Sequence, residues 1–329
     1  MFSPLSSQRF PSVRTETFGR YVPLLQGGLR FKRPVALDSA ALNLAEIFHG
    51  DKAHGIPFGR RVLTADSLRS EWGLRPDAQI LISGVAKDKH LEKIWANYRE
   101  AGLAQQLAAL RVSGVTAPNF TFWKDKPRMH NLWNRRRMLR VCENFADAGV
   151  PMIPHINSTH PADWDFWRDY LKDHPEITAV CMEFGTGNKK EAIRDWKIKA
   201  LLDLSESLGR SIHPVILGGI NAAAIIGSYF LFYTAIDSTP TMKTIYRQRA
   251  IDSANGVTSW RTDVVPEGTC MAEAFDANYQ EHHEGVTRRL ISGGPAKKTQ
   301  GTRQAEFLRT TPSKDANLSI ADELPLTYS

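Results

Sequence analysis

IHPVILGGINAAAIIGSYFLFYTAID, residues 212–237, carries the pattern that decides the fold. A short β-branched run (212–217) meets Gly218-Gly219 and then an Ala/Ile-rich helical stretch. Gly227-Ser228 interrupts that stretch, and a second apolar run follows over 230–237. Strand, turn, helix, turn, strand at this spacing is a crossover unit joining two parallel strands. The runs show no polar alternation, as expected of strands buried on both faces.

The same unit recurs on both sides. Strand candidates are RPVALDS (33–39), QILISGV (79–85), LRVSGVTA (110–117), VPMIPHINS (150–158), TAVCMEFGTG (178–187), the two runs above and TSWRTDVV (258–265). Between them, 90–110 places Leu91, Ile94, Trp95, Tyr98, Leu103 and Leu107 at helical spacing. Residues 129–148 do the same with Leu132, Leu139, Cys142, Phe145 and Ala146, and stop at Gly149-Val150-Pro151. Shorter helices are expected over 164–171 and 191–208. Eight strands alternating with helices predict an α/β fold, a (β/α)8 TIM-like barrel over 33–290. An N-terminal arm (1–32) and a disordered C-terminal tail (291–329) flank it, and a doubly wound sheet is the alternative architecture.

Composition narrows the function classes. A chain of 329 residues with 42% hydrophobic and 23% charged residues builds a sizeable core, which excludes a disordered chain. No apolar run reaches the roughly 18 residues of a membrane span. The opening MFSPLSSQRF lacks the apolar centre of a secretory leader. Cys142, Cys181 and Cys270 are scattered and odd in number, as expected of reduced thiols in the cytoplasm. No Cys/His cluster has metal-ligand spacing, so neither metal nor cofactor is expected.

The net charge of +7 is unevenly placed. Arg9, Arg14, Arg20, Arg30, Lys32 and Arg33 face a single Glu16 in the first 33 residues. Lys124, Lys126, Arg128, Arg135, Arg136, Arg137 and Arg140 interleave with Trp123, His130 and Trp133. Arg288, Arg289, Lys297, Lys298, Arg303 and Arg309 lie near the end. Basic runs with aromatics suit a polyanion, since phosphates attract the cations and bases stack on rings. They equally suit solvated helix faces.

In a barrel the active site forms where the strands end. The polar residues there are Asp38, Ser83, Asp88, Asn119, His155, Asn157, Glu183, Asn221 and Asp237, with the glycines of Gly185-Thr186-Gly187 and Gly218-Gly219. Asp237 ends an apolar strand, where a carboxylate either reacts or caps the next helix. Glu183 reads as a substrate contact or half of a buried ion pair. Gly218-Gly219 reads as a phosphate cradle or a tight packing contact. His155 reads as a substrate contact or a structural histidine.

Three segments together resemble the tRNA-guanine transglycosylase superfamily: HPVILGGINAAAIIGSYFLFYTAIDSTPTM (213–242), AQILISGVAKDKHLE (78–92) and MEFGTG (182–187). The resemblance covers roughly 33–250. The family's Cys-x-Cys-x-x-Cys zinc signature is missing, and its Asp-Ser-Gly-Gly loop is replaced by Pro118-Asn119-Phe120. That pattern is similar to the divergent bacterial and phage branch that inserts 7-deazapurines into DNA. The stretch APNFTFW (117–123) also resembles a bacterial and phage family of unknown function.

The resemblance implies a pentosyltransferase that exchanges guanine for a deazapurine through a covalent Asp237–glycosyl intermediate, with Asn119 in the place of the second catalytic group. It implies substrate contacts from Glu183, Gly185, Gly187, Gly218, Gly219, His155, Asn157 and Phe120. It implies nucleic-acid contacts from Trp123, Lys124, Arg128, Arg135, Arg136, Arg137 and Arg247. The expected partners are DNA rather than tRNA, a deazapurine base, and proteins of the same mobile-element or defence system, with no membrane. Two other readings are open: a non-catalytic nucleic-acid-binding barrel, and a barrel enzyme on a small phosphorylated substrate that uses Glu183 or Asp237 as base.

Overall fold

A computed structural model describes residues 10–26, 29–49, 59, 63–185, 191–252, 258–262 and 270–292. Eight short strands build the barrel: β1 (Tyr21–Leu25), β2 (Ser39–Asn43), β3 (Gln79–Ser83), β4 (Gly114–Thr116), β5 (Met152–Ile153), β6 (Ala179–Glu183), β7 (His213–Leu217) and β8 (Thr234–Asp237). All pair in parallel, in the order β5-β4-β3-β2-β1-β8-β7-β6. The two ends of this sheet meet where His155 bridges Cys181. Ile156 N–H donates to the Cys181 carbonyl and Cys181 N–H to the Pro154 carbonyl, both at 2.8 Å, and the α/β barrel closes there.

Alternation along each strand divides the core in two. Val22, Leu24, Ala41, Leu81, Ile153, Ala179, Cys181, Val215, Leu217 and Ile236 point inward and pack together. Tyr21, Leu25, Leu42, Ile80, Ile82, Val115, Met152, Val180, Met182, Ile216 and Ala235 point outward under the helices. Apolar residues on both faces are what made these runs read as strands, and both faces are covered.

The helices that follow β2 to β8 are α1 (Leu44–Ile47), α2 (Ala65–Trp72), α3 (Asp88–Asn97), α4 (Leu103–Ala109), α5 (Arg128–Asp147), α6 (Pro161–Asp173), α7 (Glu191–Ser207), α8 (Ile220–Ile226) and α9 (Thr239–Ile245). After α9 come an antiparallel ribbon, β9 (Arg249–Asp252) with β10 (Ser259–Arg261), and α10 (Met271–Ser292). Among the described residues no helix links β1 to β2, and α10 packs against β1, α8 and α9. Phe275 meets Phe31 with ring centroids 5.0 Å apart, and Tyr279 stacks on Tyr21 at 6.1 Å. The last helix thus takes the place of the first crossover.

Four boundaries differ from the sequence-based expectation. The first barrel strand is YVPLL, inside the segment read as an arm. Its five residues contain Pro23, which has no N–H to donate, so the run looks irregular. The strand expected over 33–39 begins only at Ser39; before it, Val35 N–H instead reaches the Gly73 carbonyl at 2.9 Å. Of the strand expected over 258–265, Ser259–Arg261 form β10, outside the barrel, and 263–265 lie outside the described residues. Of the expected tail, 291–292 still belong to α10, and 293–329 lie outside the described residues.

Candidate active site at the C-terminal mouth of the barrel

One half of the rim is tied by short-range bonds. Asn43 Nδ2 donates to the Val85 carbonyl at 2.8 Å while its Oδ1 accepts from Ala45 N–H, capping α1. Gly84 N–H donates to Thr116 Oγ1 at 2.8 Å. These side chains shape the rim and are occupied in doing so.

The other half gathers three of the expected site residues. Asn119, beyond β4, donates from Nδ2 to Glu183 Oε2 at 2.7 Å. Asn157, beyond β5, donates from Nδ2 to Asn119 Oδ1 at 2.7 Å and to the Phe120 carbonyl at 3.3 Å. Trp167 Nε1 holds the Asn157 carbonyl at 3.2 Å. A carboxylate only accepts, so Asn119 must turn its NH2 towards Glu183 and its oxygen towards Asn157. The relay therefore aims the half-buried carboxylate, which ends β6 on the inward-facing phase of Ala179 and Cys181.

The glycines leave room beside it. A Cβ on Gly185 would lie 3.3 Å from Glu183 Oε1. Gly218 has φ +62°, which favours glycine, and a Cβ there would press on the Gly185 backbone at 3.3 Å. A Cβ on Gly219 would meet the Phe184 Cβ at 2.7 Å, so this glycine serves close packing of α8 on the strand end. Gly187 lies outside the described residues.

His155 lies on the inner face beside Cys181, one step below Asn157. It is fully buried, and neither ring nitrogen has a partner among the described residues. Burial pushes its pKa down to about 3, so the imidazole is neutral. It forms the floor under the relay and does not line the open mouth.

Lys197 is a half-buried lysine that the sequence reading passed over. It lies on α7, and burial lowers its pKa to about 8, helped by the charge of Lys124 and opposed by Glu183. The signal was in the pattern. On α7 the buried Ile193, Leu201 and Leu204 form one stripe, and Lys197 interrupts it at the i+4 position from Ile193.

Asp237 is placed elsewhere. Its neighbour Ile236 packs inside the barrel, while Asp237 shares the outward phase of Ala235. It accepts from His282 Nε2 of α10 at 2.9 Å, Tyr21 Oη at 3.2 Å, and the N–H and Oγ1 of Thr239 at 3.0 and 2.7 Å. His282 Nδ1 in turn faces Thr258 Oγ1 at 2.7 Å. Burial alone would raise the Asp237 pKa, but the bonds from His282 and Thr239 outweigh it and hold the carboxyl below its ordinary range. This carboxylate fastens α9 and α10 to the barrel wall. The structure brings Asn119 to Glu183, not to Asp237.

Several expected nucleic-acid contacts are also structural. Arg135 and Arg128 both bond Asp163 Oδ1 at 3.1 Å, and Asp163 further accepts from the N–H groups of Thr159 and His160. Arg135 is buried and lies 3.8 Å above the Phe166 ring. Arg137 is buried against Glu92, at 2.9 and 2.7 Å from its two oxygens, and over Phe120 at 4.2 Å. Phe120 is itself core, 2% exposed. Arg135 and Arg137 fall on the buried stripe of α5, a phase that a run of three arginines conceals. Arg136 is half-buried, and Arg247 sits at the far end of α9, away from the mouth.

What remains open at the rim is a ledge. Trp123, Met129 and Trp133 are 39%, 72% and 44% exposed, beside the exposed Lys124. Lys87, Lys89 and Lys93 lie on the neighbouring β3–α3 side and, after burial, are the main charges that lower the His90 pKa. Among the described residues no three His, Cys, Asp or Glu side chains group as metal ligands, and no helix is long and apolar enough to cross a membrane.

Fold and rim together define a (β/α)8 protein with the oriented Glu183 carboxylate at its C-terminal mouth. No protein-family model matches the chain. It is similar to the Gene 1 protein of Mycobacterium phage D29, 23% identical over 168 residues, covering 49% of this chain and 61% of that protein. It is also similar to an NADH-quinone oxidoreductase subunit of Mycobacteroides abscessus, 32% identical over 106 residues, 29% of this chain and 45% of that protein. The chain thus spans less than two thirds of either relative.

Proposed function

We propose that the chain is a barrel enzyme in which Glu183 is the reacting carboxylate, moving a proton on a small polar substrate in the C-terminal mouth. The observation that carries this reading is the Asn157–Asn119–Glu183 relay. A base must be ionised, held in one orientation and open to substrate, and the relay supplies the orientation. Isomerisation or retro-aldol cleavage next to a carbonyl fits a carboxylate held in one orientation. We place the activity in the cytoplasm, on the three unpaired thiols.

The test is deuterium incorporation from D2O into a panel of aldoses, ketoses and their phosphates, followed by proton NMR. Wild-type protein is expected to exchange a proton next to the carbonyl of one member, and Glu183→Gln to abolish the exchange. Exchange by Glu183→Gln at the wild-type rate, or no exchange across the panel, refutes the reading.

The exposed Trp123–Lys124–Trp133 ledge favours a second reading, base exchange on a polynucleotide, DNA before tRNA. Its carboxylate would then be Glu183, because Asp237 is committed to α10. A flipped base would enter the mouth while its neighbours stack on the ledge. Incorporation of labelled guanine into DNA or tRNA that is lost in Glu183→Gln and weakened in Trp123→Ala would support it. Binding to DNA without a steep salt dependence would refute it.

A further inference from the structure

We propose that Trp123 is the platform on which the substrate of the mouth docks, and that this substrate is a sugar in its ring form. This rests on the reading of Glu183 as the reacting carboxylate and names the class of molecule that it acts on. Two observations lead there. Seven of the eight tryptophans have an aromatic or cationic partner. Trp72 lies under Arg30, Trp95 and Trp133 meet each other, Trp164 meets Trp196, Trp167 meets Tyr170 and Trp260 meets His282. The Trp123 ring meets no such group among the described residues, and the residue is 39% exposed.

The backbone that carries this indole is fixed on both sides. Trp123 belongs to the connection between β4 and α5, which in a barrel lies at the C-terminal mouth. Asn131 of α5, 3% exposed, takes both of its main-chain groups. Trp123 N–H donates to Asn131 Oδ1 at 2.8 Å, and Asn131 Nδ2 donates to the Trp123 carbonyl at 2.7 Å and to Thr159 Oγ1 at 3.2 Å. Asn134 Nδ2 donates to the Thr121 carbonyl at 2.7 Å, and the Thr121 hydroxyl to Asp88 Oδ1 at 2.7 Å. Asn157 holds the Phe120 carbonyl, and Asn119 carries the relay to Glu183. Trp123 is four residues beyond Asn119, a reach of at most about 14 Å along the chain.

A large ring ordered before its ligand arrives reduces the entropy lost on binding. An indole left in water also gains from any apolar surface that covers it. The side chains that share this mouth, Asn119, Asn157 and Glu183, are hydrogen-bonding groups suited to hydroxyls. A ligand that satisfies both has hydroxyls on its edge and an apolar face, and the C–H face of a sugar ring is such a surface. A wholly apolar ligand would leave the amides and carboxylate unused, and an open-chain polyol would present no fixed face to the indole. Trp123 is thus a specificity residue and Glu183 the catalytic one.

Saturation-transfer NMR titration of the full chain tests this. The probes are D-glucose and D-ribose, their open-chain alcohols sorbitol and ribitol, and adenine as a flat ring without hydroxyls. One of the two sugars is expected to bind and its alcohol to fail. Trp123→Ala should weaken that binding by about fivefold or more, and Trp123→Phe should keep it within about threefold. Trp123→Ala should melt as wild type does, which separates a docking indole from a structural one. No sugar binding by wild type, binding of adenine alone, or unchanged sugar binding in Trp123→Ala overturns the platform and leaves the Glu183 reading standing. Trp123-dependent sugar binding with proton exchange persisting in Glu183→Gln overturns that reading and leaves the platform in place.

Discussion

Asp237→Asn separates a nucleophile from a fastening. Asn is isosteric and keeps an oxygen for Thr239, but it removes the charge that His282 and Tyr21 address. Asp237 is only 7% exposed, so water cannot replace those bonds. Hydrogen bonds to a charged group are worth about 1.5–3 kcal/mol each, and Asn weakens those from His282 and Tyr21 while the Thr239 bonds survive. At about 2–4 °C per kcal/mol for a domain of this size, a loss of about 3 kcal/mol lowers Tm by about 6–12 °C. The pH dependence has a definite sign. The folded carboxyl titrates below its ordinary range, so its stabilisation is complete above the unfolded value near about 3.9 and fades as pH falls through the folded value. Asn cannot titrate, so the gap between the two proteins narrows below about pH 4. Thermal unfolding followed by circular dichroism from pH 3 to pH 8 measures both effects. If Asp237→Asn melts within about 3 °C of wild type at pH 7, equivalent to about 1 kcal/mol, the fastening role is refuted and the nucleophile role regains its ground.

Three further outcomes follow from the same geometry. Arg135→Met removes one of two guanidinium groups from the fully buried Asp163 and should cost about 2 kcal/mol in denaturant unfolding, with no change in the salt slope of DNA binding. Gly219→Ala sets a Cβ 2.7 Å from the Phe184 Cβ, so urea midpoints should fall by the equivalent of about 1–3 kcal/mol. Of the three cysteines only Cys270 should react with a thiol reagent in the native state. The amides of Glu273 and Ala272 at the start of α10 and the Arg33 side chain lower its pKa, whereas burial raises the Cys142 and Cys181 thiols. Rapid labelling of Cys142 or Cys181 in folded protein would contradict the packing described above.

The architecture was legible because both-face burial and crossover length are written into local composition. ILISG, VCME, PVIL and TAID each read as strands and each lies in the barrel. The first strand was hidden by Pro23, and the eighth was miscounted because SWR is β-rich yet pairs only with β9. Length arithmetic alone could not choose between them, since a five-residue strand at one end and a three-residue strand at the other give the same total.

The site was less legible, and the cause is phase. When a strand alternates polar with apolar residues, the sequence shows which side faces the core; a strand apolar on both sides conceals that information. In TAID the carboxylate looks catalytic because it ends a greasy run, but the register Pro23↔Asp237 puts it on the outside of the barrel. In VCME the same kind of residue, one position differently phased relative to its strand's inward set, opens into the mouth. The arginine run of α5 fails for the same reason: consecutive charges on a helix point about 100° apart, so a triplet includes buried and half-buried positions. Lys197 is the converse case. A single charge in a helical stripe does carry phase, because the apolar residues around it define which way it must point. Charges flanked by a readable periodicity thus carry phase that a strand apolar on both sides conceals.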